Sequence, residues 1–232
     1  GEAVNTYAIT QGTLSAGTNY SLTFVPDNFA ITPAAITITA DAGQTKVYGT
    51  SDPVFAYTNT TGGLVGTDEF TGTLSRVAGE AVNTYAITQG TLDNTNYTIT
   101  FVANNIAITQ APPVLTLGSS TNLSVGYPTE TSINGSACPA QLTCDLYRDA
   151  VLMSNPDVQN LSVGVYNYSY VTLGNANYTG ASVSTILTIQ DVTPPTVTIT
   201  TTQPLIIASK GNTRVPVNAS DSSGISSIKI IL

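Results

Sequence analysis

The chain of 232 residues has no histidine, no tryptophan, one methionine, two cysteines and six basic residues. Without an imidazole, Ser-His-Asp and Cys-His nucleophile arrangements lack their general base. Cys138 and Cys144 stand in a C-x5-C stretch, so a zinc ion would find only two of the four ligands it takes. The basic residues Lys46, Arg76, Arg148, Lys210, Arg214 and Lys229 are scattered among fourteen acidic ones, for a net charge of -8. That balance cannot neutralise a phosphate backbone, which excludes nucleic acid as a partner. Attraction to an anionic lipid surface fails for the same reason. No apolar run reaches the roughly 18 residues of a membrane-spanning helix, and no basic start followed by an apolar core marks a secretion signal. Neither G-x-x-x-x-G-K-[ST] nor a helix-opening G-x-G-x-x-G occurs, so nucleotide binding has no foothold. Asp68 and Glu69 are adjacent carboxylates in a loop, where neighbours point apart as often as together; sugar cleavage would need a cleft as well. These absences predict a chain that is not an enzyme and takes no metal or cofactor.

What is present is a repeat. The fourteen residues GEAVNTYAITQGTL at Gly1–Leu14 recur without change at Gly79–Leu92, and each copy leads into a similar N-Y-[ST] segment, at Asn19 and at Asn96. The period is about 77 residues, which suits one small β domain per repeat. Charged residues are only 9% of the chain, against about 25% in ordinary soluble proteins. Thr, Ser and Asn therefore carry the polar surface.

Residues 1–33 read as the C-terminal half of one repeat, because Gly1–Thr32 aligns with Gly79–Thr109 after one deletion. Tyr20, Leu22 and Phe24 alternate with Ser21 and Thr23, the period of a half-wet strand. Residues 34–110 form a complete repeat. Strands are expected near Ile36–Ile38, Thr45–Tyr48, Phe55–Tyr57, Gly72–Arg76, Thr84–Gln89, Tyr97–Ala103 and Ile106–Gln110, with Gly-rich Thr60–Gly66 as a loop and a helical turn near Val65–Phe70. Residues 111–191 form a second kind of β domain. There Tyr166 precedes Tyr178 by the same twelve residues that separate Tyr85 from Tyr97. Residues 192–232 read as the first part of a further domain, with strands at Val197–Ile199, Val215–Val217 and Ile228–Leu232. Pro33, Pro112-Pro113 and Pro194-Pro195 mark the junctions, where proline favours stiff, extended connections. The fold class is all-β: tandem small β-sandwich or Ig-like domains in an elongated array, the chain beginning and stopping inside a repeat.

From Ala35 to Thr109, Lys46-Val-Tyr-Gly49 with Asp52-Pro53, then Gly72-Thr-Leu-Ser-Arg76, Thr84–Gly90 and Asn96-Tyr97 occur in an order that resembles the MBG-type repeats of large prokaryotic surface adhesins. Residues 114–190, through G-x-Y at Gly164–Tyr166 and NYTG at Asn177–Gly180, look like a bacterial or archaeal Ig-like repeat, and Thr193–Ile225 is similar to the start of another. The resemblance implies a cell-surface or secreted modular protein, a stalk, fibre or filament segment that presents or anchors an adhesive end. It brings no catalytic residues.

Candidate residues are therefore structural. Cys138 and Cys144 are expected to form a disulfide in preference to free thiols, which points to an oxidising compartment; closing that short ring stabilises by about 2.4 kcal/mol in the chain-entropy picture. Tyr166, with Tyr7 and Tyr85 in the repeats, stands where a corner tyrosine pins a turn through its hydroxyl. N-x-[ST] sequons at Asn19, Asn59, Asn96, Asn122, Asn134, Asn160, Asn167, Asn177 and Asn218 are candidate glycosylation sites. Lys46 reads as a solvated strand lysine, with an amide crosslink to Asn104 or Asn105 beside Glu80 as the alternative. The expected partners are adjacent domains of the same protein or neighbouring subunits in a fibre. Two other readings stand beside the stalk: one domain is itself an adhesin for a protein or glycan, or the half-domains are completed by strand exchange in a filament.

Overall fold

The structure, a computed structural model, describes residues 3–199 and 217–220. It is all β, with no helix among the described residues. The chain divides into two compact units, Gly1–Ala111 with Ala176–Tyr178, and Pro112–Asn175 with Thr179–Leu232.

The first unit opens with an antiparallel pair, β1 (Asn5–Ile9) and β2 (Asp27–Ile31). The complete repeat follows as β3 (Ala34–Ala40), β4 (Gln44–Val47), β5 (Tyr57–Thr61), β6 (Ser75–Arg76), β7 (Asn83–Thr88), β8 (Tyr97–Val102) and β9 (Asn105–Thr109). These make a three-stranded sheet β5-β3-β8 and a four-stranded sheet β4-β9-β7-β6. Alternation in Ala-Ala-Ile-Thr-Ile-Thr-Ala buries Ile36, Ile38 and Ala40 from β3, where they join Phe55, Leu74, Ile87, Leu92, Tyr97 and Ile106 in one core. Each such large apolar side chain contributes about 1.5–3 kcal/mol on burial. Two parallel pairings close the domain: β3 lies along β8, with Ile36 opposite Ile99, and β4 lies along β9, with Lys46 opposite Ile108.

The second unit contains β10 (Thr116–Ser119), β11 (Ser124–Gly126), β12 (Glu130–Ser136), β13 (Asp145–Arg148), β14 (Val151–Met153), β15 (Asp157–Asn160), β16 (Gly164–Thr172) and β17 (Ala181–Gln190). Its sheets are β10-β12-β15 and β11-β17-β16-β13-β14, sharing a core of Ile133, Leu146, Tyr168, Tyr170, Leu187 and Ile189. Here too the last long strand pairs in parallel with an early one, Ser124 opposite Thr188 and Val125 opposite Ile189. Beyond it, β18 (Thr196–Ile199) and β19 (Val217–Ser220) form an antiparallel pair. The strand expected at Ile228–Leu232 lies outside the described residues.

Several expectations are corrected. No helical turn forms at Val65–Phe70, because Gly66 takes a left-handed φ of 60° that a right-handed turn cannot contain. Phe55 is buried but precedes its strand, which starts at Tyr57. Pro53 has no N–H to give a ladder, and Ala56 is held instead by the Gln44 side chain, donating to Oε1 and accepting from Nε2. Thr60 and Thr61 belong to that strand and not to the loop. Gly72, at φ 76°, shortens the strand expected at Gly72–Arg76 to Ser75–Arg76. Tyr20–Phe24 is not a strand: its counterpart β8 is held by β3, and among the described residues Tyr20–Phe24 has no such partner.

Candidate functional site

The densest polar cluster lies in the complete repeat. β4 carries Lys46, the turn after it supplies Asp52, β6 carries Arg76, and the loop before β7 supplies Glu80. The Lys46 side chain is only 4% exposed, and its Nζ lies 2.7 Å from both Asp52 Oδ1 and Glu80 Oε2. It also donates to the Thr50 carbonyl at 3.2 Å. Lys46 is therefore not the solvated lysine expected: its partners are Asp52, Glu80 and the Thr50 carbonyl, and neither Asn104 nor Asn105 is among them.

Arg76 holds Asp52 with two nitrogens, Nε to Oδ2 at 2.7 Å and Nη2 to Oδ1 at 3.0 Å. Its Nη2 reaches Glu80, its Nη1 donates to the Val77 and Gly79 carbonyls, and its guanidinium lies 5.2 Å from the centre of the Tyr85 ring. The hydrogen bond from Arg76 holds Asp52 below its ordinary value, and the bond from Lys46 does the same for Glu80. Asp52 and then Glu80 raise Lys46 in return. Every member is driven toward its charged form, the opposite of what an acid or base exchanging protons near neutrality requires. The cluster ties β4, β6 and the Gly79–Val82 loop together.

The other polar features have structural partners as well. Beside the cluster lies a groove of about 520 Å³ whose lining includes Asp52, Phe55, Tyr57, Phe70, Leu74 and Leu92. Its carboxylate is the one neutralised by Lys46 and Arg76. Asp68 accepts the Tyr97 hydroxyl at 2.9 Å through Oδ2. In the second unit the buried Asp157 Oδ2 accepts Arg148 Nη1 and the Tyr168 hydroxyl, both at 2.8 Å. Burial, reinforced by that carboxylate, pushes the Tyr168 hydroxyl up to about 12. No group of three or more His, Cys, Asp or Glu side chains placed to hold a metal ion occurs among the described residues.

The residues singled out in the sequence fall as follows. Cys138 and Cys144 form a disulfide across the loop from β12 to β13. Tyr7, Tyr85 and Tyr166 each donate to the carbonyl four residues earlier, that of Ala3, Ala81 and Ser162, at 2.7, 2.9 and 2.9 Å. Among the sequons, Asn19, Asn59, Asn122, Asn134, Asn160 and Asn167 are exposed, whereas Asn96 and Asn177 are half-buried. The Asn59 amide donates to the Gly62 carbonyl. Asn218 falls in β19. Glu80 stood beside Lys46 in the sequence reading only as the acid of a crosslink, and the places of Asp52 and Arg76 in the cluster escaped it; the signal for them was scarcity, since a chain this poor in charge still places six of its charges between Lys46 and Glu80.

Residues 36–107 match the model of the MBG domain (YGX type), and they are such a domain. The match suggests a surface-protein repeat and, with the disulfide, is consistent with an extracellular protein. Neither curated proteins nor solved structures give a match to the chain.

Proposed function

We propose that this segment is structural material of an extracellular surface protein, a stalk or fibre whose β domains hold distance and bear tension, and that it performs no catalysis. The observation that supports this reading most is the parallel pairing of each domain's last long strand with an early one. In the MBG domain the closing strand β9 runs parallel to β4, and in the second unit β17 runs parallel to β11. When a domain is pulled from its two ends, strands paired this way must slide past one another, so their ladder bonds resist together. An antiparallel hairpin pulled from its open ends instead releases its bonds one by one.

Force spectroscopy on the whole chain tests this. Pulled from the ends, it should show two main unfolding events at forces well above that needed when handles at Asp145 and Met153 peel the edge strand β14 from β13. Equal forces in the two geometries would remove the mechanical reading.

A further inference from the structure

Asn96 stands where β8 begins, and every polar group it has is engaged. Its Oδ1 accepts the Val4 N–H at 3.0 Å and its carbonyl accepts the Ala34 N–H at 3.0 Å. Its own N–H donates to Asn94 Oδ1 at 2.9 Å, and its Nδ2 faces Asp68 Oδ2 at 3.4 Å. Val4 belongs to the half-repeat and Asn96 to the complete one. A single asparagine thus takes one backbone donor from the loop ahead of β1 and one from the first residue of β3.

The same pair of bonds recurs one repeat on, within the same unit. Val82 N–H donates to Asn177 Oδ1 at 3.0 Å, and Ala111 N–H donates to the Asn177 carbonyl at 3.0 Å. Ala34 pairs in parallel with Tyr97, and Ala111 with Tyr178. In both places the donors are the valine of Ala-Val-Asn and an alanine about thirty residues later, and the acceptor is the asparagine of Asn-Tyr-Thr.

We infer that Asn96 is the coupling by which the complete repeat grips the Ala-Val loop of the half-repeat ahead of it, and that Asn177 makes the same grip on Val82 within that unit. The loop is made for this presentation. Around Val82, Arg76 holds the Val77 and Gly79 carbonyls, Lys46 and Arg76 hold Glu80, and the Tyr85 hydroxyl holds the Ala81 carbonyl. The ion cluster therefore braces the donor side at Val82. This role also accounts for the unchanged copying of Gly1–Leu14 and Gly79–Leu92: the stretch includes both the gripped loop and the corner tyrosine that fixes it. Asparagine suits the acceptor side, since its carbonyl oxygen receives the valine N–H while its NH2 faces a carboxylate. Sugar on Asn96 would compete with the contact to Asp68. The inference does not depend on the mechanical reading, because it concerns how repeats register and not what force they meet.

Hydrogen exchange on the full chain tests it. Asn96→Ala should speed exchange at the Val4 amide roughly five- to tenfold, the loss expected for one hydrogen bond. Protection at Ile36 and Ile99 should stay within twofold, and Thr98→Ala, which removes only the sequon, should match the parent. Asn177→Ala should act on Val82 in the same way. A Val4 amide that does not respond, or one that responds only along with Ile36 and Ile99, would overturn the inference. Val4→Pro approaches from the other side by deleting the donor: the Asn96 side-chain NH2 resonances should shift, and unchanged resonances would also overturn it.

Discussion

Gly1–Leu14 and Gly79–Leu92 are one peptide in two surroundings. From Ala3 and from Ala81 onward several local hydrogen bonds coincide. Tyr7 and Tyr85 close the same turn, Gln11 and Gln89 donate to the carbonyls of Leu14 and Leu92 at 2.8 and 2.9 Å, and Thr6 and Thr84 donate to the preceding asparagine at 2.8 Å. Register agrees too, since Tyr7 faces Phe29 as Tyr85 faces Ile106. Burial does not agree: Ile9 is 46% exposed and Ile87 0%, Tyr20 77% and Tyr97 7%. Turn chemistry and pairing are thus properties of the peptide itself, whereas burial comes from β3, β4 and the Phe55 segment, which cover only the second copy.

The sharpest way to break this comparison is to remove the same side chain from both copies. Ile87→Ala should destabilise the complete repeat by about 2–5 kcal/mol, while Ile9→Ala should leave the same denaturation transition within about 0.5 kcal/mol. Equal effects would mean that the half-repeat has a core of its own. Glycine gives a smaller and finer contrast. Gly12 and Gly90 share a left-handed φ, 55° and 58°, but a Cβ on Gly12 meets nothing within 4 Å while one on Gly90 would stand 2.4 Å from the Thr73 carbonyl oxygen. Alanine should cost about 1–2 kcal/mol at either site for the backbone alone. Hydrogen exchange read separately over β1–β2 and β7–β9 should show the larger loss at Gly90, and parity would discount the contact with Thr73.

The smallest effect expected is electrostatic. Asp52 and Glu80 titrate below their ordinary values in the folded state, so their contribution is complete above the carboxylate range and is lost as pH falls through the lowered values. Lys46 is raised, so its contribution holds below the ordinary lysine value and is lost only as pH climbs through the raised one. The complete repeat should therefore lose stability in acid, and Lys46→Met should flatten that dependence. An acid limb unchanged in Lys46→Met would show that other carboxylates set it.

These contrasts also explain what could be read from the letters alone. The all-β class, the disulfide partners and most strand positions follow from alternation and spacing, which are local. Tyr20–Phe24 failed for a physical reason: its alternation matches that of β8, but a strand exists only where another backbone accepts its bonds. Lys46 failed similarly. A lone lysine in an alternating run reads as solvated, and only the fold brings Asp52, Arg76 and Glu80 around it from six, thirty and thirty-four positions away. Asn96 and Asn177 were visible as sequons and as repeat motifs, but not as acceptors, because each bonds a backbone N–H some ninety residues distant.

The sparse basic residues have one more consequence. Between residues 3 and 199 there are only Lys46, Arg76 and Arg148, and their side chains are 4%, 6% and 20% exposed, each clasped by a carboxylate. Trypsin-like proteases must draw a protruding cationic side chain into a deep specificity pocket, and this folded stretch offers them none. The charges that brace each domain from within are thereby withdrawn from such enzymes.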